Sequence, residues 1–306
     1  MTDTPLSSTR RRLLAGLAAA PLAARFRPAG AADILTRPVP ATGERIPAIG
    51  MGTWITFNVG EDADLRRRRL EILRTFFARG GGMIDSSPMY GSAQDVVGWC
   101  LERLDDTAGL IAADKIWTRF GDGGEQLAET RARWGLARLD VMQVHNLVNW
   151  REHLAMLRRA KDDGRVRYIG VTTSHGRRHD ELERIMRREP LDFVQLTYNI
   201  RDRAAEARLL PLAADRGIAV ICNRPYRRKQ LFRRYQDRPL PPWAGEVGVS
   251  NWAEFFLKFI VSHPAVTCAI PATSQVRHMA ENMGALTGPL PAAADRRRMV
   301  RWVEAL

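Results

Sequence analysis

Four residues whose side chains can hold or move a proton stand at or just past the ends of short apolar runs. Asp85 closes Met83-Ile84-Asp85, Tyr90 follows five residues later in Pro88-Met89-Tyr90-Gly91, Lys115 lies in Ala113-Asp114-Lys115-Ile116-Trp117, and His145 closes Val141-Met142-Gln143-Val144-His145. A phenol is a poor acid at neutral pH, but a neighbouring ammonium stabilises the phenolate and is expected to lower its pKa. A lysine held by a carboxylate stays charged and fixed, and a histidine orients a carbonyl by hydrogen bonding or relays a proton. Asp, Lys, Tyr and His together suit protonation of an alkoxide that develops as a carbonyl is reduced. Singly, each has a plainer reading: a strand-end Asp often caps a helix, and a lone His often sits satisfied in a core. Four at consecutive strand ends fit that coincidence poorly.

Elements that bring these residues together are legible in the pattern. Candidate strands fall at Ile49–Thr53, Met83–Asp85, Leu110–Ala113, Val141–Val144, Val166–Val171, Phe193–Leu196, Ile218–Cys222 and Thr267–Ile270. Between them, 62–79, 92–104, 124–137, 150–163, 177–188, 202–216, 250–262 and 275–285 carry apolar residues at three- and four-residue spacing, the mark of amphipathic helices. In 62–79, Leu65, Leu70, Ile72, Leu73, Phe76 and Phe77 form the stripe, and Gly80-Gly81-Gly82 stops the helix. Eight such βα units predict a closed (β/α)8 TIM barrel, in which side chains at the C-terminal ends of the strands share one pocket. A doubly wound sheet is disfavoured, because no GxGxxG turn follows the first strand. Residues 34–48 are expected to form a β-hairpin capping the barrel bottom, and 286–306 an extra C-terminal helix carrying Met299, Val300, Trp302 and Val303. The longest irregular stretch, 223–249, follows the seventh strand and should open on the catalytic face.

The 306 residues are 45% hydrophobic and 26% charged, which excludes disorder and fibrous repeats. Cys100, Cys222 and Cys268 show neither a disulfide framework nor metal-ligand spacing, so no metal is expected. No apolar run reaches the roughly 20 residues that span a bilayer, so no stable membrane insertion is expected. The net charge is +13, and only Lys115, Lys161, Lys229 and Lys258 are lysines against 43 arginines. These arginines are spread through helices beside acidic residues without interleaved aromatics, which reads as solvated surface and not as a nucleic-acid site. Residues 1–31 combine Arg10-Arg11-Arg12, a weakly apolar stretch and Ala29-Gly30-Ala31, the layout of a cleavable signal of twin-arginine (Tat) type. Cleavage after Ala31 would remove five arginines and Asp3 and lower the charge from +13 to +9. The expected domains are therefore a signal at 1–31 and a barrel at 34–306, in a protein exported to the periplasm with the Tat machinery as transient partner. If the signal is unused, the protein stays in the cytoplasm.

Over about residues 45–285 the chain resembles the aldo-keto reductase family. The likeness rests on Gly50-Met51-Gly52-Thr53-Trp54, Ile84-Asp85-Ser86-Ser87-Pro88-Met89-Tyr90-Gly91, Lys115-Ile116-Trp117 and Val144-His145-Asn146. It continues in Gly170-Val171-Thr172-Thr173-Ser174, Gln195-Leu196-Thr197-Tyr198-Asn199 and Ile270-Pro271-Ala272-Thr273-Ser274 with Glu281-Asn282. The resemblance implies a nicotinamide-dependent oxidoreductase that is commonly monomeric, with NADPH the expected cofactor and NADH the alternative. By the same likeness, Tyr90 is the general acid, Lys115 tunes it, Asp85 pairs with Lys115, and His145 orients a small carbonyl substrate. Gln195 matches the residue that holds the nicotinamide carboxamide. Thr172 and Thr173 stand where Ser-Asn is common, and Asn223 stands where many members stack an aromatic ring on the nicotinamide. Gly52, Thr53, Arg224, Arg227, Thr273, Ser274, His278, Glu281 and Asn282 complete the implied cofactor contacts. Arg228 and Lys229 extend the cationic loop toward the pyrophosphate. Ala272 and His278 replace the Lys and Arg that commonly grip the adenosine 2′-phosphate. Trp54 and Trp117 are the implied apolar walls of the substrate pocket.

Two other readings compete. A Schiff-base enzyme would use Lys115 as nucleophile, but Asp85 and Tyr90 beside it favour a charged lysine, and a nucleophile must be neutral. A non-catalytic nicotinamide-binding sensor or partner subunit can share the fold; the intact tetrad argues against it.

Overall fold

The computed structural model describes residues 34–306; the signal read at 1–31 lies outside the described residues. The described chain begins with a hairpin, β1 (Thr36–Pro38) paired antiparallel with β2 (Arg45–Pro47). Val39 and Ile46 of this hairpin pack fully buried against Met83, Val141, Tyr168, Phe193 and Ile221 inside the barrel. Glu44 also accepts a hydrogen bond from the Tyr168 hydroxyl at 2.8 Å. The hairpin thus closes the N-terminal end of the barrel, as the sequence predicts.

Eight parallel strands follow: β3 (Met51–Gly52), β4 (Met83–Asp85), β5 (Ile111–Ile116), β6 (Leu139–Val144), β7 (Val166–Thr172), β8 (Phe193–Thr197), β9 (Ala219–Asn223) and β10 (Cys268–Ala269). They pair in sequence order, and a parallel bridge from Ile49 to Ala269 joins the first strand to the last. Gly50 N–H to Ala269 O at 2.9 Å and Gly52 N–H to Pro271 O at 3.0 Å complete that seam. Period-two alternation then decides which side chains enter the barrel. Met83, Ala113, Val141, Tyr168, Phe193, Ala219 and Ile221 fill its lower layers, while Ile84, Ala112, Met142, Ile169, Val194 and Val220 pack outward. Two residues further along the inward face stand Asp85, Lys115, Gln195 and Asn223, and four past Tyr168 stands Thr172, so polarity changes toward the C-terminal end of the barrel.

Helices α1 (Ala63–Ala78), α2 (Ala93–Leu101), α3 (Gly124–Trp134), α4 (Trp150–Asp162), α5 (His179–Arg188) and α6 (Leu209–Asp215) alternate with these strands. In α1 the Asp62 side chain caps the first turn by accepting from Leu65 N–H, and Leu70, Ile72, Leu73 and Phe76 are buried. Each such burial stabilises by roughly 1.5–3 kcal/mol. Gly80, at φ +83°, lets the chain leave the helix sharply. Helix α6 is shorter than its periodicity suggests: Pro211 lies in its first turn, where the missing N–H costs nothing, and 204–206 is a separate 3₁₀ turn.

The stretch 223–249, expected to be irregular, contains α7 (Gln230–Tyr235) and a 3₁₀ turn at Ala244–Val247. Buried Leu231 and Tyr235, four residues apart, fix α7 on the barrel. Helices α8 (Trp252–Val261) and α9 (Val276–Gly284) flank β10, and α10 (Ala293–Ala305) is the extra terminal helix, docked through Met299 and Val303. Among the described residues no helix is long and apolar enough to cross a membrane.

Candidate active site

Residue parity on β4 and β5 places Asp85 and Lys115 side by side inside the barrel mouth. Lys115 Nζ donates to Asp85 Oδ2 and to Ser86 O, both at 2.6 Å, and neither side chain reaches solvent appreciably. The second carboxylate oxygen, Oδ1, accepts from Gln195 Nε2 at 2.8 Å. Tyr90 lies in the 3₁₀ turn Pro88–Tyr90 after β4, with its ring centroid 5.3 Å from Lys115 Nζ. His145 follows β6, its ring edge-on to Tyr90 at 5.7 Å between centroids. All four residues predicted from sequence therefore meet.

Burial and charge set their protonation states. Burial alone would depress Lys115, but Asp85, Tyr90 and Asp114 outweigh it and hold the ammonium above its ordinary pKa. Burial and then Lys115 push His145 down to about 3, so the imidazole is neutral. Tyr90 departs from the sequence expectation. Burial raises its pKa, Lys115 opposes that, and Asp85 and Asp114 add to the rise, leaving it at about 12. The ammonium offsets the desolvation of the phenolate without reversing it. Tyr90 therefore stays protonated and can give its proton to a stronger base, such as an alkoxide.

Asp85, Tyr90 and His145 line one cavity of about 550 Å³ at the C-terminal face of the barrel. Gly52, Thr53, Trp54, Thr172, Thr173, Gln195, Asn223, Arg224 and Ser274, all named from sequence, line it as well. Others named from sequence lie elsewhere. Trp117 is 42% exposed beyond the end of β5, its backbone held by Gln126, and forms no wall of this cavity. Arg227 pairs with Asp202 at 3.0 Å. Thr273 is buried and its hydroxyl braces the turn to Gln275. His278 lies beside Arg277 on α9, and Arg277 reaches toward Glu281. Asn282 is on the buried face of α9, where its Oδ1 accepts from the Tyr226 hydroxyl at 2.5 Å.

A nicotinamide dinucleotide fits these residues. Among the described residues Thr173 Oγ1 is a buried polar atom without a hydrogen-bond partner, on the residue whose N–H donates to Gln195 O at 2.9 Å. Arg224, Arg228 and Lys229 bring three cations to the same cavity, from a loop whose residues at φ +53°, +56° and +69° curl it back over the barrel. Such a loop suits a diphosphate. Arg228 also lies over the Trp54 ring at 4.6 Å.

Three functional neighbours were not read from the sequence. Ser87 lies 2.8 Å from His145 Nδ1 and accepts from Met89 N–H, an arrangement that favours a proton on Nε2 of the imidazole. The doubled serine after Asp85 was its only signal. Asp114 points away from the barrel, accepting from Gln94 Nε2 at 3.0 Å and from Lys115 N–H at 2.7 Å. Arg69 is buried against the cavity; its signal was a basic residue in register with Leu73 and Phe76 on the apolar stripe of α1.

A (β/α)8 barrel with a buried Lys–Asp pair behind a cavity-facing tyrosine defines a class of nicotinamide-dependent oxidoreductases. A model of the aldo/keto reductase family matches residues 48–294, and the chain belongs to that family. Methylglyoxal reductase YeaE of Escherichia coli K12 is 26% identical over 260 residues, covering 81% of this chain and 88% of that protein. The NADH-specific methylglyoxal reductase of the same organism is 26% identical over 222 residues, covering 61% and 66%. An aldo/keto reductase from Klebsiella pneumoniae, solved with NADP and acetate, shares the fold with a TM-score of 0.71 at 24% identity, covering 85% of this chain and 92% of that one. The protein is an NAD(P)H-dependent oxidoreductase.

Proposed function

We propose that the protein reduces a small aldehyde or ketone to its alcohol, with NADPH as the preferred hydride donor and NADH as the weaker one. The observation that carries this reading is the meeting of Tyr90 with the buried Lys115–Asp85 pair at the wall of one cavity. When bound, the nicotinamide supplies the hydride. The chain's own residues do the rest. His145, neutral and oriented by Ser87, directs Nε2–H at the carbonyl oxygen. Tyr90 gives its proton to the oxygen as negative charge develops there. Lys115 stabilises the phenolate left behind, held by Asp85 and Ser86 O so that it cannot swing away. A lysine held charged in this way is unsuited to forming a Schiff base.

The relatives named above make methylglyoxal a first substrate to assay, beside simple aldehydes. Tyr90→Phe removes the transferable proton while keeping the ring. It is expected to abolish turnover while NADPH still quenches the intrinsic fluorescence. Retention of most activity across several aldehydes would end the assignment, and cofactor binding by the parent protein without turnover would favour a sensor. Titration of both cofactors decides the preference; tighter NADH binding would reverse it.

Export through the Tat route is part of the proposal, motivated by the basic, weakly apolar segment at 1–31. Because this route carries folded proteins, the reductase would cross with its cofactor inside and require a donor outside the cytoplasm for further turnovers. Cell fractionation with sequencing of the mature N-terminus tests this. An intact N-terminus in the soluble cytoplasm would refute export.

A further inference from the structure

The cavity holds a buried cation that the chemistry above does not use. Arg69, on the inner face of α1, is 7% exposed and lines the cavity with Trp54, Ile55, Thr56, Met89 and Tyr90. Its Nε donates to Thr56 O at 2.6 Å, which fixes the plane of the guanidinium. None of the ion pairs in the described residues involves Arg69, so among those residues its charge has no carboxylate partner. Burial and the neighbouring Arg68 both work against the charged form. Among the described residues Asp85 is the sole carboxylate lining the cavity, and its two oxygens are taken by Lys115 and Gln195. A buried guanidinium without a counter-charge is expensive, and proteins keep one where an anion arrives from outside.

The loop that holds Arg69 is itself built at a cost. Ile55 takes φ +65°, a left-handed conformation that strongly disfavours a β-branched residue. With Ile55 there, Thr56 N–H bonds back to Trp54 O at 2.7 Å in a tight turn, from which Thr56 O receives Arg69. Strain of this kind collects where a ligand is clamped.

We infer that Arg69 binds a carboxylate carried by the carbonyl substrate, so that the preferred substrates are small oxo acids. The inference rests on the carbonyl-reductase reading and deepens it. The guanidinium fork matches a carboxylate with two parallel hydrogen bonds. Arg69 is tied to Thr56 in the loop after β3, whereas the cations suited to the cofactor diphosphate come from the loop after β9. The charge balance agrees, with four cations lining the cavity (Arg69, Arg224, Arg228 and Lys229) around one neutralised carboxylate. Nicotinamide dinucleotide accounts for three of these, and a substrate anion accounts for Arg69.

The test compares ω-oxo acids of increasing chain length with the n-alkanals of equal length, in the full protein and in Arg69→Met and Arg69→Lys. In the parent, the acid of best-fitting length is expected to have the higher kcat/KM. In Arg69→Met the acid-to-alkanal ratio is expected to fall on the order of 10- to 100-fold, with Arg69→Lys restoring part of it. NADPH is titrated in parallel. If Arg69→Met weakens NADPH instead, Arg69 serves a cofactor phosphate and the inference is overturned; an unchanged substrate ratio overturns it too. Binding of a non-reducible dicarboxylate, succinate, against its neutral diamide is followed by intrinsic fluorescence in the same proteins. Preference for succinate that is lost in Arg69→Met supports the inference even if neither aldehyde series is turned over, a result that would count against the reductase reading alone. Absence of that preference in the parent counts against Arg69.

Discussion

Gln195 Nε2 donates to Asp85 Oδ1 across 2.8 Å, a bond that links β8 to β4 through the barrel mouth. The same amide accepts at Oε1 from Asn223 Nδ2 at 3.3 Å. A side chain read from sequence as a cofactor contact is thus also a brace of the acid–base pair, and the order Asn223, Gln195, Asp85, Lys115 runs unbroken toward Tyr90.

Gln195→Leu should therefore act on chemistry as well as on cofactor binding. It leaves one oxygen of a buried carboxylate unpaired, a loss of about 1.5–3 kcal/mol in stability. A loosened Lys115 should also lower kcat on the order of 10-fold or more, since small displacements in an oriented site are costly. Thermal melts and saturating-cofactor kinetics check this. A variant with a higher KM for NADPH, unchanged kcat and unchanged melting temperature would confine Gln195 to the cofactor.

Lys115→Met should be worse for the fold than Lys115→Met combined with Asp85→Asn. Removing the ammonium alone strands a buried carboxylate, at about 3–5 kcal/mol. Neutralising Asp85 as well removes the stranded charge, so the double variant should regain much of that stability while remaining inactive. Chemical denaturation of the four proteins closes the cycle. Additive losses would show that the pair, at 2.6 Å, is not coupled.

What could be read in advance and what could not have separate physical causes. Asp85, Lys115 and His145 were legible because parallel strands deliver their C-terminal residues to one face whatever the loops do. Trp117 has the parity of Lys115 but follows the last strand residue, Ile116, and there the chain turns toward Gln126 and parity stops predicting direction. Which face of α9 Asn282 occupies, buried with Met279 and Met283, was not readable because that register is fixed by packing against α1 and α8. Helix α7 is only six residues long, too short to print a period among the surrounding arginines and prolines. The direction of the Tyr90 shift depends on how deeply the ring is buried, which no spacing of residues encodes.

Asp114 should make stability fall with rising pH. Burial, opposed by Lys115 and Gln94, lifts its carboxyl from 3.8 to about 7. Between those values the native chain keeps a proton that the unfolded chain has released, so stability present at pH 4 is lost as pH rises toward about 7. Asp114→Asn cannot titrate, and its unfolding free energy should be flatter across that window whatever its absolute value. Urea unfolding at half-unit pH steps measures this. Parallel profiles for the two proteins would mean that Asp114 is ionised throughout.

Asn223→Phe restores the aromatic residue common at this position, and two effects then compete. A ring against the nicotinamide is worth about 0.5–1.5 kcal/mol beyond area burial. Against it stand the three contacts Asn223 makes: to Thr173 O at 2.9 Å, to Gln195 Oε1 at 3.3 Å, and from the Thr197 hydroxyl at 2.7 Å. Each buried group left unpaired costs about 1–3 kcal/mol, and Gln195 would lose the partner that aims it at Asp85. The losses outweigh the gain, so the variant should melt lower, bind NADPH no more tightly and turn over more slowly. Fluorescence titration with melting curves decides it. Tighter NADPH binding at an unchanged melting temperature would show that Asn223 is a forfeited stacking site and no part of the brace behind Tyr90.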